Sequence, residues 1–169
     1  MAGTAEVELS LDDIRRVAAF AATCARRALP IYEIVHPDDV RPRAAIDGAE
    51  AFAETGQRTA ALRQLAWAAH KAAREVPASA ATDAALSAMH AAGAAFLHPL
   101  YSPHQVKHIL GSAVHLLLAD PKAAAEQIEW IRNHADPAVR AVLGRFPPPL
   151  AGRSSFGMLM VRLDTELRR

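Results

Sequence analysis

The sequence predicts an all-α protein, a single domain of about seven to eight helices arranged as a bundle or a short helical array. Three observations lead there. Alanine is nearly a quarter of the 169 residues, runs of β-branched residues are absent, and prolines fall between apolar stripes of helical period. Hydrophobic residues at 51% and charged residues at 22% are globular composition, and the length suffices for one core without disulfide or metal. The 19 basic and 18 acidic residues are interleaved to a formal charge of +1, which leaves no basic block for nucleic acid. No stretch approaches the ~20 apolar residues of a membrane span. One cysteine, Cys24, cannot form an internal disulfide, and the first residues carry no basic, apolar leader pattern, so the expected location is the cytoplasm.

The elements follow in order after a lead-in, residues 1–9, expected to be flexible. Ser10 with Asp13 forms a capping box, and Leu9 with Ile14 has staple spacing, so the first helix starts at Leu11. Ile14, Val17, Ala18, Ala21, Ala25, Ala28 and Leu29 share its apolar face, and Pro30 is expected to end or kink it. A second helix runs from Pro42 to about Glu54, closed by Gly56. In the third, Leu62, Leu65, Ala66, Ala69, Ala73 and Val76 share a face until Pro77. The fourth spans about Ala80 to Leu97 and places Leu86, Met89, His90, Gly93 and Leu97 on one side, taken as inward. Ser102, Pro103 and Gln105 predict a capping box opening the fifth. Asp120-Pro121 and Asp136-Pro137 each pair an N-cap acid with a first-turn proline, and Gly144 is expected to close the helix begun at Pro137. Residues 145–153 read as a proline-rich connector, and Phe156, Leu159, Met160, Leu163 and Leu167 predict a C-terminal amphipathic helix within 154–169.

The densest polar segment is His36-Pro-Asp-Asp-Val-Arg-Pro-Arg43. Pro42 disfavours the helical region for its predecessor, which predicts Arg41 as N-cap, with Asp38 and Asp39 in reach of Arg41 and Arg43. Histidines supply the other candidate chemistry. His90 falls on the stripe taken as inward and requires a polar partner, and His70, His90 and His98 are expected to converge on Asp38, Asp39, Arg41 and Arg43 in one buried network. His104, His108 and His115 lie within about 40° of one another on the fifth helix, opposite Val106, Ile109, Leu110, Ala113 and Leu117, and so are predicted to face outward. His104 and His108 have the i, i+4 spacing of two metal ligands, but His115 is about 10 Å further along the axis and no third ligand is evident. The expectation is no bound metal and no cofactor. Trp67 and Trp130 fall off their helices' stripes and read as second-layer packing, and Cys24 as a buried thiol.

Three blocks, Arg26-Arg-Ala-Leu-Pro-Ile-Tyr-Glu33, Pro37-Asp-Asp-Val-Arg-Pro-Arg-Ala-Ala-Ile46 and Ala68-Ala-His-Lys-Ala-Ala-Arg74, resemble successive blocks of the immunity-five-like family of bacterial polymorphic toxin systems, in order and spacing. Met89-His-Ala-Ala-Gly-Ala-Ala-Phe-Leu-His98 and His108-Ile-Leu-Gly-Ser-Ala resemble its next two helices. The resemblance covers roughly residues 11–119, with Pro99–Pro103 lengthening the link before the fifth helix. It implies a small non-enzymatic protein that binds and neutralises a cognate toxin. No nucleophile elbow, phosphate loop, His-Glu-x-x-His or paired-cysteine motif is present to name an enzyme. The competing readings are a histidine–metal bundle with hydrolase or transferase chemistry, using His104, His108 and His70 or His90, and a purely structural module.

Overall fold

The computed structural model describes residues 5–169, and among these the chain forms eight α-helices and no strand. They are α1 (Leu11–Glu33), α2 (Arg41–Thr55), α3 (Ala60–Glu75), α4 (Ala80–Gly93), α5 (Val106–Ala119), α6 (Ala124–His134), α7 (Pro137–Arg145) and α8 (Ser155–Leu167).

Helix α1 opens on the predicted box, with Ser10 Oγ accepting from the Asp13 N–H at 3.0 Å and Asp13 accepting in return from the Ser10 N–H at 2.8 Å. Its apolar stripe is buried as patterned. Pro30, however, does not end it, and the helix continues to Glu33. The ring costs only the bond to the Arg26 carbonyl, its φ suits a helix, and the last turn closes through Ile34 N–H to Pro30 O at 3.0 Å. Helix α2 begins one residue earlier than predicted, at Arg41 with Val40 as N-cap, because Asp39 Oδ1 accepts the Arg41 N–H and holds that residue in the turn. It ends at Gly56, whose φ of 71° is a left-handed position open to glycine. Helix α3 stops at Glu75, with Val76 extended ahead of Pro77.

The fourth helix carries the main correction. Ala81, Ala84, Ala85, Ser87, Ala88, Ala91 and Ala92 are the buried face, while Leu86, Met89 and His90 are only partly buried. The α4 helix lies at the centre, against α1, α2, α3 and α5, and methyl-sized side chains let four neighbours approach at once. Ser87 Oγ reaches Ser112 O and Oγ, and Ser112 Oγ reaches Ala21 O at 2.8 Å, pinning α4, α5 and α1 together. The α-helix ends at Gly93 and a 3-10 turn carries the chain over Ala94–Phe96.

Helix α5 is buried almost all round, since α4 and α1 take one side and α8 the other. It opens through a 3-10 turn at Pro103–Gln105. Ser102 caps His104 rather than Gln105, and the Gln105 side chain turns to the His98 N–H, so no capping box forms. Asp136 caps α7 through Val139 N–H at 2.9 Å, but Asp120 makes no such bond and a 3-10 turn precedes α6. Helix α7 runs past Gly144 to Arg145. Residues 147–150 are non-helical, and α8 then docks Met160, Leu163 and Leu167 on the body. Of the lead-in, residues 1–4 lie outside the described residues. The rest is tied down, with Val7 N–H bonded to Pro99 O at 2.7 Å and Tyr101 N–H to Ala5 O at 2.8 Å.

Candidate functional site

The polar segment between α1 and α2 forms a knot, and the C-terminus of α3 completes it. Arg41 presents its fork to Asp39, Nε to Oδ1 at 2.9 Å and Nη2 to Oδ2 at 2.7 Å, and Nη2 also reaches Glu75 Oε2 at 2.6 Å. Tyr32, fully buried on α1, donates its hydroxyl to Asp39 Oδ2 at 2.5 Å. The Arg41 guanidinium holds the Asp39 carboxyl well below the usual carboxylate range, against its partial burial, and Glu75 is lowered by the same partner. Tyr32 is pushed up to about 12 by burial and by the anion it bonds. Asp39, Arg41 and Glu75 thus stay ionised near neutrality, which suits architecture or recognition.

Arg43 is not part of it. Its fork closes on Glu33 at 2.7 and 2.8 Å, in the last turn of α1. Asp38 is exposed and pairs with neither arginine. Two open clefts flank the Arg41–Glu75 pair. One, about 490 Å³, is lined by Val35, His36, Pro37, Asp38, Asp39 and Arg41; the other, about 600 Å³, by Trp67, His70, Lys71, Arg74 and Glu75. Around them Ile34, Val35, Val40 and Trp67 are exposed, Ile34 at 81% and Trp67 at 65%. The expectation that Trp67 packs in a second layer therefore fails, and the His70 ring meets it edge-on at 5.8 Å. Trp130 does pack, stacked on His134 and covered by the Arg27 guanidinium.

The three histidines assigned to this network go elsewhere, apart from His70 at the rim of the second cleft. His98 is exposed and accepts the Leu100 N–H. His90 stacks on His115, ring centroids 5.1 Å apart and 25° between planes, with Phe156 of α8 against both rings at 6.0 and 4.9 Å. Nδ1 of His115 meets Asp83 Oδ1 at 2.8 Å. His115 is 7% exposed, so the fifth-helix histidines do not face outward as a set. His108 turns its Nδ1 to Gly93 O at 3.0 Å and only His104 is exposed. Burial lowers His90 to about 3 and also lowers His108. The reason is the C-terminal helix, which covers what would be the outer side of α5. No group of three His, Cys, Asp or Glu placed to hold a metal occurs among the described residues. Cys24 is fully buried, which pushes its thiol up and keeps it unreactive.

Sequence reasoning found Asp39 and Arg41 but missed Tyr32, Glu33, Glu75 and Asp83. Glu33 and Tyr32 stand within ten residues of the segment and could have been weighed as its partners. Glu75 and Asp83 arrive through helix packing, which leaves no local signal.

No curated protein and no solved structure matches the chain. A family model described as "Imm-5 like putative immunity protein" matches residues 8–134, reaching through α6 where the residue-level resemblance stopped near 119, and leaving α7, the connector and α8 outside. The knot, both clefts and the exposed apolar rim all lie inside that match, which spans well over half of the sequence, and the chain therefore belongs to the Imm-5 like family of immunity proteins.

Proposed function

We propose that this chain is a non-enzymatic, cytoplasmic immunity-type protein that neutralises a cognate bacterial toxin by stoichiometric binding, and that the toxin contacts the face built on the Asp39–Arg41–Glu75 knot. Family membership over residues 8–134 carries the reading. The face supports it: Ile34, Val35, Val40 and Trp67 surround a rigid arginine fork, and an exposed tryptophan beside oriented charge is the composition that dominates binding energy at protein interfaces. Asp38 and Arg74 extend it with charges that form no ion pair among the described residues.

The test is protection of cells that express a toxin encoded beside this gene, together with the mass of the purified complex. The expected result is protection, a one-to-one complex, and loss of affinity of roughly 30-fold or more in Trp67→Ala, the scale of a central interface tryptophan. Protection by catalytic turnover, with far less protein than toxin, would overturn it.

A further inference from the structure

We propose that α8 is a proton-gated latch, closed over the His90–His115 pair while the two rings carry at most one proton and released when both are charged. The two imidazoles lie nearly parallel at 5.1 Å, and Phe156 covers them with a hydrocarbon ring. Gly111 makes the stack possible, because a Cβ there would stand 2.4 Å from His90 Nδ1. One carboxylate serves the pair. Asp83, from α4, bonds His115 and leaves a second proton on His90 without a counter-ion.

The other charged groups that weigh most on His90 favour its neutral form. His108 and Lys107 approach from α5 and His70 from α3, and α8 contributes Phe156. The charged groups of α8 are used elsewhere: Asp164 pairs with Arg168, and Arg162 and Glu166 line the cleft against α6. Arg153 of the connector is exposed. Two cations 5 Å apart beneath an apolar cover are repelled and poorly solvated, and the simplest relief is to lift the cover. Its hold is modest, since only Met160, Leu163, Asp164 and Leu167 of α8 are buried. Burial also lowers His90 to about 3, as the closed geometry requires. Released, α8 uncovers one whole side of α5. The segment lies outside the family match, so the latch is an addition to the shared fold and stands whether or not the toxin face is correct.

The sign is fixed by linkage. A histidine lowered in the closed form favours closure above its ordinary value near 6.5 and loses that contribution as pH falls, so the open fraction rises up to tenfold per pH unit. Hydrogen exchange of the α8 amides in the full chain, corrected for intrinsic rates, is expected to show protection falling about 16-fold from pH 6.5 to 5.0, while α2 holds its protection. His90→Phe keeps the stack and removes the proton site, and its α8 should stay protected at pH 5.0. Unchanged α8 protection in the wild type, or the same fall in His90→Phe, overturns the latch. The His90 ring signal by NMR decides independently should that variant fail to fold. Titration below about pH 5, with α8 protection falling as the pH drops, supports the latch, and titration near the ordinary value with α8 protection unchanged rejects it.

Discussion

The charge knot at the α1–α2 turn and the histidine stack under α8 are both polar clusters at helix junctions, yet they meet the cost of burying polar groups in opposite ways. The knot keeps its charges, each answered by the other sign and left partly open to water: the side chains of Asp39 and Arg41 are 20% and 32% exposed. The stack keeps the His90 ring neutral by covering it. A cluster of answered charges is indifferent to pH near neutrality, whereas a cluster of suppressed charges is conditional on it. The same chain thus holds a joint of answered charges at the α1–α2 turn and a covered pair of rings beneath α8.

The sharpest way to break that contrast is to strand one charge of the knot. Asp39→Ala removes the fork partner of Arg41, the acceptor of the buried Tyr32 hydroxyl and the cap on α2, and is expected to cost about 3 kcal/mol in denaturant unfolding. Acidification should spare the knot and reach the stack first. Stability should fall from about pH 6.5 downward as His90 takes up a proton on unfolding, by up to about 2 kcal/mol at pH 5.0. The contribution of Asp39, held below the carboxylate range, is lost only below about pH 4, the ordinary aspartate value. Unfolding free energies at several pH values would separate the two limbs. Gly111→Ala drives a methyl into the His90 ring and is expected to cost roughly 1–2 kcal/mol and to displace that ring's NMR signals. Arg43→Ala breaks an exposed pair with Glu33 and should change stability by less than about 1 kcal/mol, a null that marks the edge of the knot.

The two clusters also differ in how far they could be read from sequence. Local signals survived: the Ser10–Asp13 box, the α1 stripe, Gly56 and the Asp136 cap all act within one turn of chain, and they sit where the pattern put them. The Asp39–Arg41 pair belongs to the same class, being two residues apart. The histidine stack was misread because a periodicity argument gives a helix one inside and one outside, and α5 has two insides once α8 has docked. On α4 the sequence pattern puts the larger side chains on the core face. The alanines won because a helix with four neighbours is selected for closeness, not for apolar bulk. Partners supplied across helices, Glu75 to Arg41 and Asp83 to His115, were invisible for the plainer reason that nothing near them in the chain points to the other helix.

The alanine face of α4 has a further consequence, in entropy. Burying alanine freezes no side-chain rotamers, so the alanines of the α4 face are buried at the cost of backbone order alone. Such a face has little left to vary. Shortening an alanine to glycine loosens the helix, and lengthening it pushes neighbours apart on several sides at once. Sequence change is thereby directed outward, to exposed positions such as Ile34, Val40 and Trp67, around an interior that tolerates little.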